Sequence, residues 1–166
     1  MSLLQNITQN KHFTKLKEGE AAPDFEGKDE NGNPIALKNY RGKKVILYFY
    51  PKDDTSGCTA QSCNLRDHYE ALLAKGFVVL GVSADDERSH QKFIKKFSLP
   101  FPLIADTDKK IISDYDVWGE KTIFGKTMDG INRTTFVISE NGRIEKIITK
   151  VDTGNHTAQI LNEYSQ

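Results

Sequence analysis

KKVILYFYPKDDTSGCTAQSC, from Lys43 to Cys63, decides the fold. After its two lysines, the first part is continuously apolar to Tyr50. A strand covered on both faces reads that way, whereas a strand with one wet face alternates. Pro51 ends it, because proline has no N–H to give to a sheet ladder. Helical periodicity then runs from Thr59 to Lys75. Ser62, Leu65, Tyr69, Leu72 and Leu73 share one face, and Gly76 supplies a stop. FVVLGVSA, Phe77 to Ala84, repeats the continuous apolar pattern. Strand, helix, strand makes one βαβ unit with a right-handed crossover.

The flanking sequence extends this unit. DENGNPIAL, Asp29 to Leu37, holds an Asn-Gly turn before a strand-like run and predicts a hairpin. A second helix is expected over Glu87–Phe97, ended by SLPFP, and a short one over Lys109–Tyr115. TTFVI (Thr134–Ile138) and RIEKIITK (Arg143–Lys150) flank the turn SENG and predict an antiparallel hairpin, with a closing helix over Asn155–Tyr164. The sum is a layered α/β domain around a central mixed sheet. The chain has 166 residues, which suits one domain, expected over residues 16–166, behind a weakly ordered segment 1–15.

Composition narrows the function. Lys and Arg number 23 and Asp and Glu number 23. That balance argues against nucleic-acid or membrane binding driven by bulk charge. No apolar run reaches membrane-spanning length, and the polar N-terminus lacks a signal-peptide core, so a cytoplasmic location is expected. In a reducing compartment a lone cysteine pair does not serve as a permanent staple.

Both cysteines, Cys58 and Cys63, sit at one corner. Cys58 lies beyond the carboxyl end of a central strand and at a helix N-terminus, where open α/β sheets tend to place their ligand sites. Free N–H groups and the positive dipole end stabilise a thiolate there. Thr55 and Ser56 can cap the helix, and Thr55 can also bond a thiolate or a bound oxygen. Gly57 permits close backbone approach, and Pro51 shapes a partly apolar pocket. The plainer alternative is a small buried cysteine beside an ordinary cap. A metal site is disfavoured, because Cys58, Cys63 and His68 recur every five residues, a poor ligand spacing on a helix. On a regular helix, Cα atoms five residues apart are separated by about 8.7 Å. A disulfide needs less than about 7 Å. If the two cysteines pair, the first helical turn must therefore unwind; an inert Cys63 also fits the spacing.

PKDDTSGC resembles the peroxiredoxin signature Pro-x-x-x-Thr-x-x-Cys, here Pro51, Thr55 and Cys58. The second cysteine five residues on is similar to the bacterioferritin comigratory protein, or Q-type, group. APDF (Ala22–Phe25), GVSADDERSHQKFIKKFSLPFPLIAD (Gly81–Asp106), YDVWGEK (Tyr115–Lys121) and GINRTTFVI (Gly130–Ile138) extend the resemblance from about Leu16 onward. It implies a thioredoxin-like fold, with helices on both faces of the sheet, and a thiol peroxidase. The implied active-site positions are Pro51, Thr55, Cys58 and Arg133, with Arg133 stabilising the thiolate and binding peroxide. Cys63 is implied as the resolving thiol and Gln61 as a secondary residue. The implied cycle reduces hydrogen peroxide and organic hydroperoxides through a Cys58 sulfenic acid and a Cys58–Cys63 disulfide. Thioredoxin or a similar dithiol recycles it, and no metal or organic cofactor takes part. Antioxidant defence and redox homeostasis are the implied role. Resolution within one chain points to a monomer, with a weak dimer as the alternative. Trp118 is expected in the core and His90 at the surface. A general dithiol–disulfide oxidoreductase and a redox-sensing binding module are the rival readings.

Overall fold

The computed structural model describes residues 8–165 of the chain. The apolar run becomes β4 (Lys44–Phe49), the centre of a five-stranded sheet. It pairs in parallel with β5 (Phe77–Ser83) and antiparallel with β9 (Thr134–Ile138). Beyond these lie β6 (Leu103–Ala105), parallel to β5, and β10 (Ile144–Ile148), antiparallel to β9. The order β10-β9-β4-β5-β6 makes a mixed sheet, as expected.

Alternation along β4 explains its unbroken apolar character. Val45, Leu47 and Phe49 enter one core with Phe25, Ile111 and Phe136. Ile46, Tyr48 and Tyr50 enter the other with Leu65, Leu72, Phe93 and Ile160. The second face is covered by α1 (Ser56–Asp67), α2 (Tyr69–Ala74), α3 (Glu87–Phe97) and α5 (His156–Asn162); the first carries α4 (Lys110–Asp114). The predicted front hairpin is β2 (Glu26–Lys28) with β3 (Pro34–Ala36), and the Asp29 carboxylate accepts from the Asn31 and Asn33 amides in its turn.

Several expectations change. The helix predicted from Thr59 starts at Ser56 and breaks at His68, where φ is −112° and ψ 13°. The break shifts the phase, so Leu72 is buried and Leu73 is exposed. His90 is fully buried rather than at the surface, because Asp53 and the Ile104 carbonyl meet both of its ring nitrogens. Trp118 lies at the surface rather than in the core, beneath the Lys109 ammonium at 4.8 Å. Residues 8–15, expected as weakly ordered, are tied down. β1 (Thr8–Asn10) pairs with β7 (Trp118–Ile123), and the Thr14 hydroxyl donates to Tyr115 O at 2.8 Å. Residues 1–7 lie outside the described residues.

β7 and β8 (Lys126–Ile131) form a hairpin that the apolar pattern did not announce. Its turn places Phe124 at φ 52° and Gly125 at φ 78°. Two consecutive positive φ values are the hallmark of a two-residue hairpin turn, for which Phe is an unusual first residue. With β1 it makes a second sheet, β1-β7-β8, beside the end of β9 that carries the site.

Candidate active site

The carboxyl end of β4 delivers the chain through Tyr50 and Pro51 into the turn before α1. Cys58 stands in the first turn of α1 and is fully buried. The register Phe49↔Thr134 brings the start of β9 beside the end of β4. Arg133, 75 residues from Cys58, thereby reaches it: Nη2 donates to Cys58 Sγ at 3.4 Å. Nη1 donates to Gln61 Oε1 at 2.7 Å. One planar guanidinium thus spans the thiol and the amide one helical turn further on.

Gln61 supplies an acceptor without a charge. A carboxylate there would neutralise Arg133; the amide orients the guanidinium and leaves its charge available to the sulfur. Gln61 is fully buried, and its Nε2 has no hydrogen-bond partner among the described residues.

Gly57 leaves room for the guanidinium. A Cβ there would stand 3.1 Å from Arg133 Nη2 and would press on the guanidinium. Thr55 occupies the N-cap position with extended φ −96° and ψ 158°, but its side chain caps no amide. Its hydroxyl instead donates to Lys52 O at 2.9 Å, which stiffens the turn and leaves the oxygen lone pairs open. Pro51 is half-buried at the same turn.

Cys63 is partly buried and unpaired with Cys58. Both lie within α1, the helical form in which the spacing forbids a bond. Burial is the main cause that pushes the Cys63 thiol up; Asp67 adds to it and Arg66 opposes it. Asn64, the next residue, is clamped to the start of α5. Its Oδ1 accepts from Thr157 N at 2.8 Å, and its Nδ2 donates to Gly154 O at 3.0 Å.

The turn before Cys58 is anchored as firmly. Asp53 accepts from Tyr50 Oη at 2.6 Å and Ser89 Oγ at 2.8 Å, and pairs with His90 Nδ1 at 2.7 Å. Its own amide donates to Asp85 at 2.8 Å.

Two basic side chains near Arg133 had no assigned part in the sequence reading. Lys121 on β7 is almost fully buried and donates to Ile131 O at 2.8 Å. Burial pushes it down to about 8, Arg133 adds to the fall, and Cys58 opposes it. His156 is pushed down to about 4, mainly by burial, and is neutral at pH 7. It bonds Thr135 Oγ1 at 2.9 Å beneath the arginine's strand. A lone Lys inside a polar hairpin gives no sequence signal of burial, and neither residue could be placed without the fold.

These features define a class: a buried thiol at a helix N-terminus, held by an arginine from a neighbouring strand, on an α/β sheet of thioredoxin-like layout. Residues 19–147 match the AhpC/TSA family. The chain is 44% identical over 146 residues to the putative peroxiredoxin bcp of Coxiella burnetii, covering 88% of this chain and 97% of that protein. It is 43% identical over 143 residues to peroxiredoxin Bcp of Bacillus subtilis, covering 86% and 91%. Among solved structures, a peroxiredoxin PrxQ variant of Xylella fastidiosa superposes with TM-score 0.85 at 28% identity, covering 92% of this chain and 98% of that one. A structure of the Xanthomonas campestris bacterioferritin comigratory protein, studied for alkyl peroxide reduction, gives TM-score 0.81 at 30% identity, covering 90% and 98%. The chain belongs to the AhpC/TSA family, among its peroxiredoxins, which are thiol peroxidases. Among the described residues no helix is long and apolar enough to cross a membrane.

Proposed function

We propose that Cys58 is the peroxidatic nucleophile of a cytoplasmic, monomeric peroxidase that reduces hydrogen peroxide and organic hydroperoxides. The observation that supports this most is the Arg133 guanidinium, fixed by Gln61 and turned onto the Cys58 sulfur. The thiolate attacks one peroxide oxygen and the O–O bond breaks. Arg133 and the helix N-terminus stabilise charge as it moves to the leaving oxygen, which departs as water or an alcohol after protonation. Pro51 and Thr55 shape the pocket in which the peroxide lies. Cys58 becomes a sulfenic acid. The Cys63 thiol then displaces its hydroxyl as water and forms the Cys58–Cys63 disulfide. Thioredoxin or a similar dithiol reduces that bond by exchange. The alkyl peroxide activity studied in the Xanthomonas relative supports including organic substrates.

The two anchors define what must unwind. Asp53 holds the chain before the turn, and Asn64 holds it after Cys63. Between them, Cys58, Gln61 and Ser62 are fully buried and Ser62 Oγ is hydrogen-bonded to Tyr48 Oη at 2.8 Å, so unwinding must withdraw this stretch from the second core.

The test is a titration. One equivalent of hydrogen peroxide removes both thiols within seconds and yields the mass of one internal disulfide. In Cys63→Ser it removes one thiol, adds one oxygen, and turnover with a dithiol collapses. Thiols that persist for many minutes would instead leave the dithiol oxidoreductase or the sensor.

Stabilising the first helical turn is expected to delay resolution. Gly57→Ala is unsuitable because its Cβ crowds Arg133. Ser56 is exposed at the first helical position, and Thr55 already has the extended backbone that precedes proline. Ser56→Pro stabilises such a position by roughly 0.4–1 kcal/mol. Disulfide formation then slows about two- to fivefold, and sulfinic acid accumulates at lower peroxide, as read by mass spectrometry. An unchanged overoxidation threshold counts against coupling between unwinding and resolution.

A further inference from the structure

We propose that the N-terminal strand is a positioning element of the active site and that Asn10 is the residue through which it acts. The inference rests on the role given to Arg133 above. Residues 8–12 lie ahead of the segment matched by the family, 19–147.

The strand reaches the site at one place. Asn10 Nδ2 donates to Arg133 O at 3.0 Å and to Thr149 O at 3.0 Å. Both partners are carbonyl oxygens, so the amide nitrogen alone can serve, and both of its hydrogens are used. Arg133 stands just before β9 and Thr149 just after β10, where their ladder ends. The Asn10 amide therefore closes the open end of that ladder at the arginine's own backbone.

The neighbouring residues are gripped too. Lys121 is the register partner of Asn10 across β1 and β7, and its Nζ holds Ile131 O. Fully buried Asn132 accepts from Lys11 N at 3.0 Å and donates to Gly119 O at 3.3 Å. Ile131, Asn132 and Arg133 are thus each fixed by the β1–β7 pair. A guanidinium that must meet a sulfur and an amide at once depends on where its Cα stands. A misplacement of about 1 Å in such a site can cost on the order of a hundredfold in rate.

Asn10→Asp is the direct test. It keeps the shape but removes both donors and sets a carboxylate against two carbonyls. The second-order rate of Cys58 oxidation by hydrogen peroxide is expected to fall roughly tenfold. In an Arg133→Ala background the same substitution should change that rate less than about twofold, because the arginine through which it acts is gone. Equal losses in both backgrounds, or no loss in the first, overturn the proposal. Alkylation of Cys58 by iodoacetamide, measured in a Cys63→Ser background, separates this from the peroxidase reading. Asn10→Asp should slow alkylation near neutral pH and leave the high-pH plateau unchanged. Slow peroxide reaction in the unmodified protein would remove the peroxidase reading. The alkylation profile would still decide whether Asn10 positions Arg133.

Discussion

Arg133→Ala slows the reaction of Cys58 with hydrogen peroxide by about 10²- to 10³-fold, the range for loss of one preorganised donor at a site of developing charge. The size follows from the geometry. Nη2 lies 3.4 Å from the sulfur and Nη1 2.7 Å from Gln61 Oε1. Cys58 is fully buried, so water does not replace the guanidinium at low cost. Arg133→Lys recovers only part of the rate. A lysine keeps the charge but cannot span the sulfur and the amide, because the ammonium is one point and not a fork. Stopped-flow measurement of single-turnover oxidation checks both variants. A rate within threefold of the unmodified protein in Arg133→Ala would remove the arginine from the chemistry and confine it to holding Gln61. Far-UV circular dichroism should be unchanged, since Arg133 stands outside the paired register of β9.

Legibility in the sequence followed the physics of each element. β4 and β5 are announced by continuous apolar runs, and β9 by its place before the turn SENG. The Cys58 corner was legible because a strand end, a glycine, hydroxyl residues and a helix start converge within a few residues. Arg133 was not legible from spacing. Its nearness to Cys58 is created by the β4–β9 register, and only the family resemblance named it.

The misreadings share a cause. β7 and β8 are polar strands of a small side sheet, so no apolar run marks them, and Lys121 disappears into a sequence that looks solvated. β1 is three residues long, and its importance lies in side-chain amides and backbone donors rather than apolar area. The charged residues around His90 in DDERSHQKFIKK read as a solvated helix face, yet the histidine occupies the inward stripe with Phe93. Buried polar residues recognised only by a distant partner are what periodicity cannot find.

Its Asp53 partner gives His90 a large expected effect on stability. Nε2 faces Ile104 O at 3.0 Å, and a carbonyl only accepts, so this nitrogen carries a proton. Nδ1 faces Asp53 Oδ2 at 2.7 Å. Burial opposes the charged ring, but the hydrogen bond and charge of Asp53 outweigh it, and the His90 pKa is raised above 6.5. At pH 6, below the raised value, the pair is a buried imidazolium–carboxylate. His90→Leu leaves Asp53 without its cation and is expected to cost about 3–5 kcal/mol, measured by urea unfolding at pH 6. The sign with pH follows from the direction of the shift. A group whose folded pKa is raised contributes fully below its unfolded value, near 6.5, and loses that contribution as pH rises through the folded value. The gap between the unmodified protein and His90→Leu should therefore be widest at pH 6 and narrow as pH climbs. Lys121 runs the other way, because its pKa is lowered to about 8 and its deprotonation above that pH favours the fold. The difference between the two proteins, rather than either curve alone, isolates His90. A gap that stayed constant from pH 6 to pH 9 would show that the ring contributes by packing and not by charge.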